Sequence, residues 1–566
     1  MQEICTLDDL KKAILTYKKV TQGEGAIIFF DTETTGLNIA YDKPFLIPWG
    51  FLDKDNKAYI YVVDIDVNKD VFHQTALVLV RLAHDKGLCG HNTKFDIHML
   101  NNEGVETPDD IHYMDTQVYI RLAHDALTPE NGGPPLGLKE YSVKYIDKTA
   151  KDNEHAVKQL RTDMSKKYNK QLRDALYKID KKYTASYIDD YFKDVLHSVN
   201  TLEPNVKEAY TNWYNNIPYQ IRMNMKTGRV ESDDIPYNLL NRRTVKVYSM
   251  HDILYTMEVY LQCKPVVKAR GTDIALVYEE DMIKPLVRME DCGFQINVPY
   301  VHETVTVLSD YLRKQRQKIK DLVGETVKVN QNAKIKELLN NRYNLNVNGT
   351  GKEDLNRIYD ELKVSDPEGD AVKFIGLVQE LRTLEKWYKT YLLRFVREIE
   401  QGHERIYTQI NQVGTVSGRV TSDFQQFPKY GINKDDGTHL FHPRRMITTT
   451  LGYKGLAYLD YSQVELRLQA LYTILVGHPD LNLCRAYMPY ECVLEDGTKY
   501  DYNNPEHVKH AYDWKWYLAE DPTKEWEATD VHAATTHVAF PDLDVHSDEF
   551  KKLRGKVGKR VNFAWH

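Results

Sequence analysis

A short apolar run followed at once by two carboxylates is the feature that most constrains the fold of this chain. In "GAIIFFDTETTGL" the segment from Ala26 to Phe30 is apolar and rich in β-formers, which predicts a buried strand. Asp31 and Glu33 follow two residues apart, so both side chains leave the same face of the extended chain. Two carboxylates this close repel each other unless a cation lies between them. The run therefore predicts a sheet whose buried strand delivers two acids to one point.

Two later segments supply further oxygen ligands. "HNTKFDIHML" places Asn92 and Asp96 four residues apart, and "YSMHDILYTMEVY" places Tyr248 and Asp252 at the same spacing. Residues four apart share one face of a helix, so each pair can point into a common cleft. Taken alone, Asp31 and Glu33 favour a solvated turn. Together the acids predict ligands for two Mg²⁺ or Mn²⁺ ions about 3.5 to 4 Å apart, which activate water for phosphodiester cleavage.

The ordered set D-x-E, N-x-x-F-D and Y-x-x-x-D resembles the 3′–5′ exonuclease superfamily of proofreading domains, which is built on a ribonuclease H-like sheet. The resemblance implies four metal ligands, which are Asp31, Glu33, Asp96 and Asp252. It also implies that Tyr248 positions the water. The chain between Asp96 and Asp252 is long for this superfamily. We therefore expect the Lys- and Tyr-rich stretch from about 147 to 235, here called the insertion segment, to be an insertion or a solvated helical arm.

A second group of motifs lies in the C-terminal half, where "TVSGRVTSDFQQFP" is followed by "DYSQVELR". Gly418 allows a close backbone approach, and Arg419 can fork onto acceptor atoms of a base edge, sugar or phosphate. A short run from Leu456 to Leu459 predicts a strand that ends at Asp460, before an amphipathic helix. An aspartate at a strand end is well placed to bind a metal that carries a nucleoside triphosphate.

These segments resemble family A DNA polymerases, the bacterial DNA polymerase I group and its phage relatives. The resemblance implies that Asp460 binds the catalytic Mg²⁺ or Mn²⁺ ions together with the carbonyl of Tyr461, and that Glu465 blocks a ribose 2′-hydroxyl. It implies further contacts with primer-template DNA or with the deoxynucleoside triphosphate, and these fall on Arg419, Gln425, Gln463, His532, Lys559 and Phe563.

The last residues, "GKRVNFAWH", resemble the fingers helix of that family. Lys559 would meet the phosphates and Phe563 would stack beside the incoming base and sugar. The family expects an arginine at the position of Gly555, and Arg554 and Lys556 are the two alternatives for that contact.

The family carries the second polymerase carboxylate downstream of the fingers helix, and two-metal phosphoryl transfer needs it opposite Asp460. We therefore expect the chain to be the N-terminal portion of a polymerase that does not extend primers by itself. It is then either one half of a split enzyme, completed by a second polypeptide, or a truncated sequence.

The predicted fold class is an α/β multidomain protein, in which a ribonuclease H-like exonuclease precedes a partial right-hand polymerase. A chain of 566 residues has room for several cores. The expected domains are the exonuclease at 1–265, the N-terminal palm segment and helical thumb at 266–400, the palm at 401–475 and incomplete fingers at 476–566.

Charge and hydropathy narrow the function class. The formal net charge of -7 argues weakly against a protein that coats nucleic acid non-specifically. The start of the chain has no basic, apolar leader, and no run of eighteen apolar residues occurs anywhere. We therefore expect a cytoplasmic protein without a membrane partner, located in the host cytoplasm if the source is a phage.

The leading hypothesis is a template-dependent, proofreading replicative DNA polymerase. One alternative is a stand-alone 3′–5′ exonuclease whose polymerase part only grips DNA. A non-catalytic clamp or scaffold subunit is an alternative of another class. The retained acids disfavour the scaffold, because an inactive protein has no need to keep carboxylates that repel each other.

Overall fold

The computed structural model describes most of the chain, namely residues 1–124, 132–192, 199, 202–433, 439–461, 464–478, 492–493, 517–518, 531–544 and 547–559. The chain divides into two compact units, Met1–Lys454 and Gly455–His566. Among the described helices, none is long and apolar enough to cross a membrane.

A seven-stranded mixed sheet lies near the start of the first unit. Its strands are β1 Gln2–Ile4, β2 Ile28–Phe30, β3 Glu33–Thr34, β4 Pro44–Leu52, β5 Ala58–Asp64, β6 Leu88–Gly90 and β7 Tyr113–Asp115. The order is β1-β5-β4-β2-β6-β7, with β3 paired to β4. β4 is antiparallel to β5 and β2, whereas β2, β6 and β7 run parallel. The predicted α/β class and the predicted buried strand before Asp31 are confirmed.

Helices cover both faces of this sheet. The first ten helices are α1 Leu7–Val20, α2 Lys69–Lys86, α3 Thr93–Asn102, α4 Thr116–Ala123, α5 Leu138–Tyr145, α6 Asp152–Tyr177, α7 Ala185–Tyr191, α8 Pro204–Asn215, α9 Tyr219–Asn224 and α10 Arg242–Arg270. Because successive residues of a strand face opposite sides, Phe30 joins a core with α1 to α3, and Phe29 joins one with α4, α5 and α10. The central strands are therefore buried on both faces, as their apolar sequence predicts.

The insertion segment is a helical layer packed on the sheet. Val157, Leu172 and Leu176 of α6 are buried in one core with Phe45 and Leu46 of β4. The interpretation of this stretch as a solvated arm is therefore wrong, because its lysines occupy only the outer face of α6 while the apolar residues at helical spacing pack inward.

The predicted helical region from about 300 to 400 is observed. Its helices and those before it are α11 Asp273–Asp281, α12 Ile283–Cys292, α13 Val298–Val323, α14 Asn332–Asn341, α15 Lys352–Ser365, α16 Asp370–Trp387 and α17 Leu393–Glu400. Helices α13 to α17 share one apolar core. The short strands around them are β8 Phe294–Ile296, β9 Arg405–Ile406, β10 Ile410–Asn411, β11 Thr421–Ser422, β12 Ile432–Asn433, β13 His439–Phe441 and β14 Ile447–Thr448.

The second unit contains three described helices and one short strand pair. They are α18 Val464–Leu475, α19 Val531–Ala539, α20 Asp548–Leu553, β15 Cys492–Val493 and β16 Tyr517–Leu518. The helix predicted after Asp460 is confirmed as α18. The strand predicted from Leu456 to Leu459 is wrong, because this stretch pairs with no strand in the described part of the chain, and Leu459 is 91% exposed.

A buried ion network fastens α3 to α12 within the first unit. The Glu290 carboxylate of α12 is bonded to the Lys94 ammonium and to Nε2 of His98, the latter at 2.7 Å, and both partners belong to α3. It also accepts a hydrogen bond from the backbone N–H of Ile410. Burial opposes ionisation of Glu290, but the hydrogen bond from His98 and the charge of Lys94 hold its pKa below the usual value. The network fixes the helix that carries Asp96.

Replacing Glu290 by Ala should destabilise the first unit by about 3 to 5 kcal/mol, because the Lys94 ammonium would remain buried without its acid and His98 would keep only its bond to Asp291. The measurement is the first unfolding transition in urea. The matched control is Glu361→Ala, which removes the acid of an exposed pair with Arg357 and should cost less than about 1 kcal/mol. Equal shifts for the two variants would contradict a structural role for the network.

Candidate functional site

Three predicted ligands meet at the end of the central strand. Carboxylate oxygens of Asp31, Glu33 and Asp252 all lie within 4.8 Å of one another. Asp31 directly follows β2, Glu33 begins β3, and Asp252 comes from the buried face of α10. α10 begins with a capped turn, in which the Asn241 side chain accepts from the Thr244 backbone N–H. Further along this helix, Asp252 lies opposite the strand end.

Asp96 joins these acids just beyond the end of β2. The Thr32 hydroxyl donates to Oδ1 of Asp96 at 2.6 Å, and the Asp96 carboxyl is hydrogen-bonded to that of Asp31. Asp96 is buried in the first turn of α3. The structure thus brings together all four predicted exonuclease ligands, here called the acid cluster.

The predicted pairing of Asn92 with Asp96 on one helical face is wrong. Asn92 precedes α3 in a left-handed conformation, with φ of 67°. Its backbone N–H and that of Thr93 donate to the two carboxylate oxygens of Asp115, at 3.0 and 2.9 Å. The Asp115 carboxylate therefore caps the start of α3 and sets the register of Asp96.

Lys139 is a residue of the site that the sequence reasoning missed. Its ammonium is bonded to the Asp252 carboxylate and lies 4.8 and 4.9 Å from the ring centres of Tyr248 and Tyr255. The side chain is buried near the start of α5. Its sequence context gives no signal, because lysine in an amphipathic helix is usually on the surface.

The acid cluster opposes its own ionisation. Burial raises the pKa of Asp31 to about 6, and burial followed by repulsion from Asp31 raises the pKa values of Glu33 and Asp96 well above the usual range. Burial also lowers the pKa of Lys139 to about 8, although the nearby acids partly oppose that shift. The positive charge of Lys139 therefore does not fully offset the cost of ionising these carboxylates.

One buried oxygen tests whether a cation suits this site. Oε1 of Glu33 has no hydrogen-bond partner in the described part of the chain. A buried carboxylate oxygen without a partner is costly, and hard divalent cations prefer such oxygen ligands. The donor set of the acid cluster therefore fits Mg²⁺ or Mn²⁺.

Tyr248 lies beside the cluster on α10. Its ring packs edge-on against Tyr237, with ring centres 5.9 Å apart, and the two hydroxyls are hydrogen-bonded. Burial, and then the charge of Glu33, raises the pKa of Tyr248 well above its ordinary value. The Tyr248 hydroxyl is therefore protonated at neutral pH and can orient a water.

The predicted DNA contacts of the first unit are exposed on one loop region. Gly418 has φ of 74°, which a glycine adopts without strain. Arg419 follows it on the surface, where its backbone carbonyl accepts from the Thr415 hydroxyl at 2.8 Å. Gln425 is also exposed, in the turn Asp423–Gln426. Both side chains are accessible to a large ligand.

The second unit holds the other predicted polymerase residues. Asp460 and Tyr461 are exposed, and the Tyr458 hydroxyl lies 3.5 Å from Oδ2 of Asp460. Glu465 is in the first turn of α18. Gln463 and Phe563 lie outside the described residues.

Two predicted nucleotide contacts come from helices that pack together. His532 is buried in α19, and Lys559 follows the turn Arg554–Gly558. A Cβ added to Gly558 would lie 2.2 Å from the His532 carbonyl oxygen, so this glycine permits the close approach. The helix turn before Lys559 and the helix of His532 are therefore neighbours.

Comparison with known families matches both parts of the chain. Residues 1–186 match a family described as 3′–5′ exonuclease, and residues 298–487 match DNA polymerase family A. The chain therefore carries a segment similar to 3′–5′ exonucleases, followed by a segment similar to DNA polymerase family A. The exonuclease match contains Asp31, Glu33 and Asp96, and the family A match contains Arg419 and Asp460.

Several similar proteins are DNA polymerases. The chain is 28% identical to a DNA polymerase I of Helicobacter pylori over 192 residues, which are 34% of this chain and 20% of that protein. It is 24% identical to DNA polymerase DpoZ of Vibrio phage phiVC8 over 189 residues, 31% of this chain and 29% of that protein. The chain thus spans about a fifth to a third of the length of these relatives. The POL domain of Pol1 from M. smegmatis, solved with DNA primer-template and dNTP, superposes at a TM-score of 0.47 and 12% identity, over 91% of this chain and 70% of that one.

The family matches leave several site residues uncovered. The exonuclease match ends before Tyr248 and Asp252, and the family A match ends before His532 and Lys559. The individual roles of the site residues, like the predicted domain bounds, stay predictions.

The charge balance of the acid cluster predicts two opposite effects on stability in EDTA. Because the pKa of Asp31 rises from 3.8 to about 6 on folding, its ionised carboxylate costs free energy that grows between about pH 4 and pH 6 and persists above. Asp31→Asn should therefore raise the melting temperature at pH 7 and lose this advantage below about pH 4. Lys139→Met should lower the melting temperature at pH 7, because it removes the ammonium bonded to Asp252. Shifts in the same direction for both variants at pH 7 would contradict this charge balance.

Proposed function

We propose that this chain removes nucleotides from the 3′ end of single-stranded DNA, as the proofreading part of a family A DNA polymerase. The observation that carries the proposal is the convergence of Asp31, Glu33 and Asp252 within 4.8 Å, with Asp96 bonded to the same strand end. The family match over residues 1–186 supports the reaction class.

The acid cluster would hold two divalent cations, which when bound supply an activated water and stabilise the leaving oxygen of the phosphodiester. The chain's own residues prepare this step. Tyr248 keeps a protonated hydroxyl beside Glu33 and can orient the attacking water. Lys139 holds the Asp252 carboxylate in place and offsets part of the negative charge that would otherwise repel a phosphate.

The second proposed function is to bind primer-template DNA and deoxynucleoside triphosphates as part of a polymerase that carries out template-directed DNA synthesis. The family A match over residues 298–487 supports it. The exposed Arg419 and Gln425 suit minor-groove contacts with the primer-template, and Asp460 is available as a metal ligand. The non-catalytic scaffold is disfavoured, because the raised pKa values of Asp31, Glu33 and Asp96 reflect a cost that Lys139 offsets only in part and that a bound cation would offset further.

The exonuclease proposal predicts Mg²⁺-dependent loss of 3′-terminal nucleotides from a 5′-labelled single-stranded oligonucleotide. The double variant Asp31→Ala, Glu33→Ala should lower the rate by more than about 100-fold, which exceeds the effect of changing a neighbour of a ligand. Asp55→Ala, which removes an exposed acid of the β4–β5 turn, is the control and should digest at the wild-type rate. Equal digestion by the double variant and the control would remove this assignment.

The polymerase proposal predicts that Arg419→Ala weakens primer-template binding in EDTA and reduces the slope of log affinity against log salt by about one. Fluorescence anisotropy of a labelled primer-template between about 50 and 200 mM salt measures both quantities. Arg81→Ala, which removes an exposed arginine of α2, should leave affinity and slope unchanged. If the Arg419 variant binds like the Arg81 variant, Arg419 does not contact DNA.

A further inference from the structure

A large cleft opens beside the acid cluster, and the insertion segment forms one of its walls. The cleft has a volume of about 1130 Å³ and reaches Thr32 and Glu33 at the strand end. Its other lining residues come from α6, from the stretch between Tyr219 and Tyr237, and from α17. The proposed function uses the acid cluster but leaves this wall without a role.

Arg161 of α6 is held at this wall by an aromatic ring. Its guanidinium carbon lies 5.5 Å from the centre of the Tyr237 ring, which in turn packs edge-on against Tyr248. Nη1 of Arg161 is 3.6 Å from Oδ1 of Asp233, whose side chain is 90% exposed, so this ion pair is weak. Nε of Arg161 is buried and makes no hydrogen bond in the described part of the chain. Arg161 thus has hydrogen-bonding capacity that the described residues do not use. Its guanidinium is separated from the acid cluster by the rings of Tyr237 and Tyr248.

The opposite wall adds a second open cation. Arg397 of α17 lines the same cleft, and no hydrogen bond or ion pair to its guanidinium occurs among the described residues. Burial lowers the pKa of Arg397 from its usual value, although the nearby charges of Glu400, Asp234 and Glu398 oppose that shift. Two arginines with spare donors therefore line one cleft.

The acids of the cleft are largely occupied by local hydrogen bonds. The Asp42 carboxylate accepts from the Thr35 hydroxyl at 2.8 Å and from the Asn38 backbone N–H at 2.7 Å. The Glu398 carboxylate is 2.7 Å from Nδ1 of His403. Asp42 and Glu398 thus have close partners, whereas Nε of Arg161 and the Arg397 guanidinium make no hydrogen bond among the described residues. Apart from Glu33, which belongs to the acid cluster, the hydrogen-bonding capacity left on these two walls therefore suits an anion.

We propose that the insertion segment binds the single-stranded 3′ end through Arg161 and Tyr237, so that the phosphates next to the scissile one lie along this wall. The proposal rests on the proposed exonuclease function. A guanidinium fixed against an aromatic ring can fork onto two phosphate oxygens. Tyr219, which is exposed at the same cleft, offers a face on which a base can stack.

The test is the binding of a labelled ten-nucleotide single strand in EDTA, measured by fluorescence anisotropy at several salt concentrations. Arg161→Ala should weaken binding about tenfold, because one charged hydrogen-bonded contact is lost. The slope of log affinity against log salt should fall by about 0.7. The control is Lys170→Ala, which removes one charge from the same helix nine residues later and therefore from its opposite side. It should leave affinity and slope unchanged.

A second variant and a kinetic measurement complete the test. Arg161→Gln keeps a side chain that can pack on Tyr237, so it should lose affinity even if the alanine variant unfolds early. With Mg²⁺ present, both Arg161 variants should raise KM more than they lower kcat, because the lost contact binds substrate away from the reacting atoms. If either folded variant matches Lys170→Ala in affinity, slope and KM, the wall has no role in binding DNA.

The outcomes separate this proposal from the function on which it rests. Digestion that depends on Asp31 and Glu33 but not on Arg161 would overturn the wall and leave the exonuclease standing. If the Arg161 variants lose binding but the wild-type chain digests no DNA, the binding wall stands and the exonuclease proposal is overturned.

Discussion

The repulsion among the four carboxylates of the acid cluster is the constraint on which the exonuclease-like part of the chain depends. Asp31, Glu33, Asp96 and Asp252 converge at one strand end, where burial makes the ionised forms of the first three costly. The surrounding fold holds them there nonetheless. The sheet fixes the strand end, the long capped helix α10 brings Asp252, the Asp115 cap sets α3, and the Lys139 ammonium offsets part of the charge. The fold therefore holds together carboxylates that repel one another, and a bound cation would reduce that repulsion.

The same helix that carries Asp96 connects the exonuclease to the next part of the chain. Lys94 and His98 flank Asp96 in sequence and bind Glu290 of α12, which also holds the backbone of Ile410. Residues of the predicted polymerase part therefore stabilise the position of an exonuclease ligand. This direct connection explains how one compact unit contains both the acid cluster and the loop of Arg419.

Local sequence patterns predicted those parts of the structure that local chemistry determines. The apolar run before Asp31, the acid pair, and Tyr248 with Asp252 on one helix each follow from spacing within a few residues. The contacts of Lys139 with Asp252, of Arg161 with Tyr237 and of Glu290 with α3 join residues that are far apart in sequence, and neither period nor propensity encodes them. The strand predicted from Leu456 to Leu459 is wrong for a related reason. A strand needs a partner strand, and the residues of the segment itself do not determine whether one lies beside it.

The insertion segment shows the same limit on a larger scale. Its lysines and tyrosines resemble those of a solvated helix, yet the buried side chains of α6 share a core with β4, and Arg161 of α6 lines the cleft beside the acid cluster together with Tyr237. The composition of the segment thus predicted its exposed surface, whereas its buried surface became visible only in the structure.

The most direct test of the account is a crystal structure grown with Mn²⁺, examined by anomalous diffraction. The account predicts two peaks about 3.5 to 4 Å apart, bound by carboxylate oxygens of Asp31, Glu33, Asp96 and Asp252. An acid cluster without an anomalous peak, at Mn²⁺ concentrations that support digestion of DNA, would contradict the claim that these carboxylates are held together to bind metal.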